Sequence, residues 1–208
     1  MATRELALLL AMAGLGGLAA CDSSGSDADG GPGYDERLDA LADLVQSAAD
    51  AGLTDASTLP TSGEARYDGH ALITADHSDA SETTILGDLG LEVGFANSGS
   101  VSGTIGNFTD EDGQDYAGTI ALTGGALDRT STGIEDDDPA FELDASGSIT
   151  DPDGVVFTLA DGATGAGDFY GTDWGYVVGG LFGSACTSGG EECSDFEGVF
   201  AGERDGGS

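Results

Sequence analysis

The sequence predicts an all-β protein built on an eight-stranded antiparallel up-and-down β-barrel. From Ala65 onward, apolar and polar residues alternate in eight separate segments, which is the period of a half-buried strand. The connections between these segments are short and rich in Asp and Gly, as hairpin turns are. No segment with a helical period separates consecutive hairpins. Eight such strands close most simply into a barrel, because closure removes the exposed edges of the sheet.

Each predicted strand carries large apolar residues and glycines at every second position. The alternating segments are 67–73, 89–95, 101–105, 116–122, 141–149, 165–171, 174–182 and 196–202. The segment 155–159 is either a ninth strand or an extension of the sixth. Hairpin turns are predicted at 97–99, 110–113 and 151–154.

The mixture of large residues and glycines also predicts the state of the barrel interior. Eight strands leave an interior that is only wide enough for side chains, and alternation of large and small residues fits its taper. We therefore expect a filled core, with any binding on the loops or on the outer wall. A lipocalin-like cup that holds a small ligand is the competing interpretation.

A single amphipathic helix is predicted ahead of the barrel, at 35–51. Its apolar face comprises Leu38, Leu41, Val45 and Ala48, with Leu44 beside them. Acidic residues occupy the first turn and Gly52 follows the end, which are typical helix boundaries. We expect the helix to pack against the barrel. A short stalk and a partner-binding helix are the alternatives.

The amino-terminal segment has the features of an export signal. An apolar run, 6–20, follows Arg4 and ends in Leu-Ala-Ala directly before Cys21. A cysteine at this point resembles the lipobox of bacterial lipoproteins, which implies cleavage before Cys21 and a lipid on its thiol. An ordinary signal peptide with a chance cysteine is the alternative. We expect no cofactor, and a membrane contact made through the lipid anchor.

These features divide the chain into four parts. We predict a lipoprotein signal peptide at 1–20, a flexible acidic Gly/Ser tether at 21–33, an amphipathic helix with a linker at 34–63, and the β-barrel at 64–205. The tether is predicted to be disordered because it has no large apolar residue with which to build a core.

The charge balance excludes one class of function. The chain has 39 acidic residues against 5 basic ones, all arginines, and a formal net charge of −34. Such a polyanion repels nucleic acids and anionic lipid headgroups, so we expect no nucleic-acid partner. Cations and basic protein surfaces are favoured partners, although acidic residues also serve simply to keep a protein soluble.

Two cysteines remain once Cys21 is assigned to the lipid. Cys186 and Cys193 form an even pair in an exported chain, which predicts a disulfide that closes a short loop. A metal site is disfavoured here, because neither histidine is near in sequence.

The two histidines, His70 and His77, offer the other candidate metal site. Together with Asp76 or Asp79 they could bind a transition metal, but the spacing matches no established pattern. We expect two surface histidines and no bound metal.

Two acidic runs and the absence of catalytic motifs complete the survey. The runs 110–115 and 135–138 could supply oxygen ligands to calcium, but neither has the spacing of an EF-hand, so plain acidic loops are expected. The sequence has no Gly-x-Ser-x-Gly elbow, phosphate-binding loop or paired His-x-x-x-His. We expect a protein that is not an enzyme.

Several stretches resemble one protein family. The segment 93–105, VGFANSGSVSGTI, is similar to the hairpin that opens the barrel domains of transferrin-binding protein B-like lipoproteins. GAGDFYG at 165–171 and VGGLFG at 178–183 resemble their late glycine-rich signature, and GVFAGER at 198–204 resembles their closing strand. The factor H-binding protein barrel belongs to the same broad group. The resemblance covers 65–204.

This resemblance implies an eight-stranded barrel on a surface-exposed lipoprotein that captures a protein or an iron-linked ligand. We expect the outer membrane and the cell surface, and the inner membrane is the alternative, because Asp22 directly after Cys21 resembles an inner-membrane retention signal. Two departures limit the resemblance. The family has an Ala/Glu-containing helical turn where this chain has Thr-Asp-Trp-Gly-Tyr at 172–176, and the transferrin receptors have paired lobes where this chain has one barrel. No transferrin-contacting residue can therefore be assigned here.

Three functional hypotheses follow. The leading one is a surface binding module, in which Tyr170, Trp174 and Tyr176 are candidate contact residues, because exposed aromatics anchor interfaces. Packing in the barrel core or at its rim is the alternative role for these aromatics. The second hypothesis is a periplasmic carrier of a small ligand or metal, which predicts an open lumen or a site at the histidines. The third is a structural envelope lipoprotein without a specific ligand.

Overall fold

The computed structural model describes residues 33–76, 82–133, 138–187 and 193–206. It contains an α-helix, α1 (Tyr34–Ala51), and a short 3-10 helix (Ala56–Thr58). Its strands are β1 (Glu64–Asp76), β2 (Glu82–Gly94), β3 (Ser100–Asp110), β4 (Asp115–Leu127), β5 (Phe141–Thr150), β6 (Val156–Leu159), β7 (Thr164–Tyr170), β8 (Tyr176–Thr187) and β9 (Cys193–Arg204).

Several predicted features lie outside the described residues. They are the signal peptide, Cys21, most of the tether, His77 and most of the acidic run 135–138. Within the described ranges, no helix is long and apolar enough to cross a membrane.

The strands close into an eight-position antiparallel barrel, which confirms the predicted fold. Each strand pairs with its sequence neighbour from β1 to β5, and β9 returns to pair with β1. The segment 155–159 supplies a separate strand, β6, which lies between β5 and β8 in line with β7. Strands β6 and β7 thus share one position, β6 pairing with β5 near Thr150 and β7 pairing with it near Phe141.

The two ends of the barrel are distinguished by their connections. We call the end where β2–β3, β4–β5 and β7–β8 are joined the plugged end, because the segment after α1 packs beneath it. We call the end where β3–β4 and β5–β6 are joined the acidic end, because both connections carry carboxylates.

The barrel interior is filled, as the alternation of large residues with glycines predicts. The largest fully buried side chains include Tyr67, Phe95, Phe108, Phe141, Phe169 and Phe200. Glycines at the paired positions of neighbouring strands make room for these rings. A Cβ at Gly179 would stand 2.2 Å from Cζ of Phe200, and one at Gly167 would stand 2.6 Å from Cζ of Phe141. No room remains beside these rings for a ligand-sized lumen.

Helix α1 packs on the outside of the barrel, as expected. Its buried residues Leu41 and Ala48 meet outward-facing residues of three strands: Leu86 of β2, Val178 of β8 and Ala201 of β9. Leu38, Leu44 and Val45 of the predicted apolar face join the same cluster. Asp35 and Glu36 lie in the first turn, where the helix dipole favours negative charge.

One predicted strand is corrected by the structure. Trp174 lies in the β7–β8 turn, with a φ of 48°, and β8 begins only at Tyr176. The apolar set assigned to this strand faces outward, because Val177 and Leu181 belong to the barrel core whereas Val178 belongs to the cluster beneath α1. Because α1 covers the outer face of β8, that face is apolar as well. Alternation alone therefore does not distinguish the inward face of β8 from the outward one.

Candidate functional site

The plugged end is closed by the segment that connects α1 to β1. Leu59 is buried in the barrel core, and the half-buried Trp174 packs against the same core. The Arg129 guanidinium donates hydrogen bonds to the carbonyl oxygens of Leu59 (2.8 Å), Pro60 (2.6 Å) and Phe95 (2.8 Å). One side chain thus holds both the plugging segment and Phe95, the residue that follows β2.

Trp174 is held in this plug on three sides. Its ring packs edge-on against Phe95, with centroids 6.0 Å apart, and the Arg204 guanidinium lies 5.1 Å from the ring centre. Its carbonyl oxygen accepts a hydrogen bond from the Tyr67 hydroxyl. These contacts fix the turn that carries the indole, and part of the ring stays accessible.

The other two candidate aromatics lie on the outer wall. Tyr170 and Tyr176 are paired across the ends of β7 and β8, and both pack against the cluster beneath α1. Tyr170 also forms a β-bridge with Leu53, just after the helix. The structure therefore brings all three aromatics to the plugged end, each half-buried, and their role as contact residues stays a prediction.

Arg37, a buried arginine of α1, joins the helix to the barrel wall, and no local sequence pattern predicts this contact. Arg37 Nη1 donates to the carbonyl oxygen of Asn107 (2.8 Å) and to Asp88 Oδ1 (3.2 Å). Asn107 Nδ2 donates to the other oxygen of Asp88 (3.0 Å). His70 Nδ1 lies 3.3 Å from Asp88 Oδ1. Burial lowers the pKa of His70, the Arg37 charge lowers it further, and Asp88 opposes both.

An open groove of about 640 Å³ runs between α1 and the wall beside this arginine. It is lined by the carboxylates of Asp43, Asp68, Asp88 and Glu203, together with His70. In the part of the chain that the structure describes, no group of three or more His, Cys, Asp or Glu side chains is placed to hold a metal ion. The predicted alternative of a His70–His77 site stays untested, because His77 is not described.

The acidic end differs from the plugged end, because a small apolar cavity opens there. Its volume is about 40 Å³. It is lined by Ile73, Ala75, Thr83, Ile85, Tyr116, Ile120, Ile149, Phe157, Leu159, Ala185 and Phe196. These residues come from the β1, β2, β4, β5, β6, β8 and β9 strand ends, so the cavity is the unfilled top of the barrel core.

Tyr116 connects this cavity to the acidic turn between β3 and β4. Its hydroxyl lies 3.3 Å from Asp110 Oδ2, and burial together with Asp110 raises the pKa of Tyr116 to about 12. Asp110 Oδ1 accepts hydrogen bonds from the backbone N–H groups of Asp112 (3.0 Å) and Gln114 (2.8 Å). The Asp110 side chain thus stabilises the turn that follows it, as in an Asx turn. Ala117 pairs with Thr150, so the turn that begins at Asp151 lies beside Tyr116 and the same cavity.

Charge is distributed unequally between the two ends. Arg66, Arg129 and Arg204 all lie at the plugged end, and Arg37 lies on the wall. The connections at the acidic end carry Asp110, Glu111, Asp112, Asp151 and Asp153. In the described ranges, no arginine stands at the acidic end to neutralise these carboxylates.

The predicted disulfide is present. Cys186 and Cys193 are register partners at the end of β8 and the start of β9, with their Cα atoms 4.1 Å apart and the two sulfurs bonded. The bond joins the last pair of the β8–β9 ladder, where the hairpin connection begins.

Comparison with known proteins yields matches among solved structures. No family model matches the chain, and no curated protein matches it. Intact Ap-TbpB, with N and C lobes, is similar at a TM-score of 0.39 and 17% identity over 73% of this chain and 28% of that one. A mutant of Transferrin Binding Protein B from Haemophilus parasuis Hp5 is similar at 0.40 and 17%, over 75% and 29%. Isotype 1 Transferrin binding protein B from serogroup B Neisseria meningitidis is similar at 0.40 and 18%, over 74% and 27%.

The chain spans less than a third of the length of each of these structures. These solved structures bear the name of the protein family that the sequence resembles.

Proposed function

We propose that this protein is a non-enzymatic, lipid-anchored protein of the bacterial cell envelope that binds another protein through the outer surface and loops of its barrel. The observation that carries the proposal is the filled interior. Aromatic rings occupy the lumen, and the cavity that remains has a volume of about 40 Å³. Contacts with a partner must therefore be made at the surface.

The localisation in this proposal rests on the amino-terminal sequence. The run of Leu-Ala-Ala before Cys21, after an apolar stretch, supports export and lipid attachment at that thiol. The acidic Gly/Ser segment that follows supports a flexible link between anchor and barrel. Exposure at the outer-membrane surface is part of the proposal, because a tethered barrel there would meet extracellular proteins.

A carrier that holds a small ligand inside the barrel fits this structure less well. Pockets for drug-sized ligands measure roughly 300–1,000 Å³, many times the space left in this barrel. A structural lipoprotein without a specific ligand is the second candidate, and one observation favours it. The large exposed apolar side chains of the described residues, Leu53, Val155 and Phe182, lie on different segments.

Lipid anchoring and surface exposure are tested by two experiments in the producing bacterium. Replacement Cys21→Ser should shift the protein from the membrane fraction to a soluble fraction and abolish labelling by a radioactive fatty acid. Protease treatment of intact cells, followed by immunoblot with lysed cells as the control, should remove the barrel. Protection until lysis would place the barrel in the periplasm and would overturn surface exposure.

The binding role is tested on the purified lipoprotein in detergent. Incubation with extracellular fluid from the natural surroundings should retain a partner on the immobilised wild-type protein. The same material denatured before immobilisation is the control, because it keeps the charge and loses the fold. Equal retention on both, or on neither, would favour the structural role.

A further inference from the structure

The cavity at the acidic end has an apolar lining. Among its lining side chains, the only polar atoms are the hydroxyls of Thr83 and Tyr116, and the latter is 3.3 Å from Asp110 Oδ2. A bound water needs about two to four polar partners, and these two hydroxyls, one of them already hydrogen-bonded to Asp110, meet at most the lower bound. The cavity therefore favours an apolar occupant.

The size of the cavity limits what this occupant can be. A volume of about 40 Å³ is a few times the minimum of about 10–15 Å³ that one water requires. This is enough for the branched end of an aliphatic side chain. It is well below the roughly 150 Å³ cavity that holds a benzene ring, so an acyl chain or a macrocycle does not fit.

Carboxylates around the cavity favour a positively charged binding partner. The carboxylates of Asp110, Asp112 and Asp151 act electrostatically on Tyr116, whose ring lines the cavity. No described arginine lies at this end, so the potential around the opening is negative. Anionic amphiphiles such as fatty acids are repelled, and positively charged segments are attracted.

We propose that the acidic end of the barrel docks a basic polypeptide segment, with the branched end of one leucine side chain inserted in the cavity and Lys or Arg residues beside the carboxylates of the two turns. The proposal rests on the proposed binding role and names the chemistry of the partner. Insertion supplies the apolar contact at the centre of the contact area, and the carboxylates form its charged rim, which is the usual anatomy of an interface.

The probe is the synthetic peptide acetyl-Gly-Lys-Lys-Leu-Lys-Lys-Gly-amide, titrated into the ¹⁵N-labelled lipoprotein in neutral detergent and followed by NMR. We expect saturable shifts at the cavity strands, at Ile120, Phe157 and Ala185, and in the two acidic turns that flank the cavity. A peptide with Gly in place of Leu should bind about tenfold or more weakly, because burying a leucine side chain is worth at least that factor. A peptide with Glu in place of Lys should not bind.

Variants of the protein separate insertion from charge. Ala185→Leu fills the cavity and should weaken binding of the Leu peptide to the level of the Gly peptide. Ala75→Leu is the second filling variant, used if the first lowers the melting temperature. Asp112→Asn/Asp153→Asn should weaken binding several-fold and reduce its salt dependence. Glu142→Gln/Asp144→Asn, on the exposed outer face of β5, is the matched charge control and should bind as wild type.

Three results would overturn the proposal. They are no saturable shift at millimolar peptide, equal affinity for the Leu and Gly peptides, and tighter binding of laurate than of the Leu peptide. The last would assign the cavity to a lipid. These results are independent of the cell experiments above. Surface exposure with partner capture but without peptide binding would keep the proposed function and place the contact elsewhere on the barrel.

Discussion

The hydroxyl of Tyr67, in the barrel core, donates a hydrogen bond of 2.8 Å to the backbone carbonyl oxygen of Trp174. The two residues are 107 positions apart, so this bond ties β1 to the β7–β8 turn at the plugged end. Burial raises the pKa of Tyr67, which keeps the hydroxyl protonated and able to donate. The plug is thus attached to the core from inside the barrel.

Replacement Tyr67→Phe should destabilise the protein by about 1 kcal/mol, because it removes this bond and leaves the Trp174 carbonyl without its donor. Trp174 is the one tryptophan of the chain, so urea unfolding followed by its fluorescence reports both stability and the environment of the plug. Tyr176→Phe is the control, since that hydroxyl makes no hydrogen bond within the described residues. Equal unfolding midpoints for the two variants would contradict the prediction.

Arg129 should contribute far more to stability than Arg66. Arg129→Ala removes three charged hydrogen bonds to backbone carbonyls and should cost roughly 2–4 kcal/mol. In the described part of the chain Arg66 forms exposed ion pairs with Asp68 and Asp205, which solvent screens, so Arg66→Ala should change stability little. Both variants remove one positive charge. A difference between their unfolding free energies in urea therefore reports the hydrogen bonds of Arg129 and not the loss of charge. A smaller loss for Arg129→Ala than for Arg66→Ala would show that the plug is not held as described.

Stability should fall in acid through His70. Its pKa is lowered in the folded protein below the ordinary value of 6.5, because burial and Arg37 disfavour the imidazolium. Above about pH 7.5 the ring is neutral in both states and has no effect. As the pH falls through 6.5, the unfolded chain takes up a proton more readily than the folded one, and unfolding is favoured.

The free energy of unfolding, measured from pH 8 to pH 5 for wild type and His70→Asn, should therefore diverge in this window. The wild-type protein should lose stability relative to the variant as the pH falls. The difference between the two curves cancels the carboxylates that they share. Parallel curves would show that His70 titrates normally in the folded protein.

The disulfide should stabilise the β8–β9 hairpin. The bond between Cys186 and Cys193 spans a sequence separation of 7 residues, and closing so short a loop is worth about 2.5 kcal/mol in the chain-entropy model. The variant Cys186→Ser/Cys193→Ser should lower the melting temperature in calorimetry, and a reducing agent should lower that of the wild type but not that of the variant. No response of the wild type to reduction would argue that the bond adds no stability.

The fold could be predicted because its signals are local. Alternation marks each strand, and Asp- and Gly-rich turns mark the hairpins, so the barrel follows from patterns a few residues long. The pairing of Cys186 with Cys193 likewise needs only a short loop between two strands. One neglected signal was present, since Leu72 is an apolar residue on the polar face of β1 and packs beneath α1.

The candidate site could not be predicted in the same way. Arg129 stands in a connection and Arg37 on a helix face, and nothing nearby in sequence indicates their partners at Leu59 and Asn107. Their hydrogen bonds cross 70 residues, so they exist only when the chain is folded. The cavity behind Tyr116 is likewise formed by seven strand ends that no local pattern brings together.

The strands, their up-and-down order around the barrel and the excess of negative charge could be read from residue types and their spacing along the chain. Which face of β8 points into the barrel is known only from the folded structure. Alternation defines two faces of a strand, but what covers the outer one is a contact with a distant element, here α1 against Val178. The division between the plugged and acidic ends has the same origin, because the plugging segment reaches Trp174 and Arg129 only through the closed barrel.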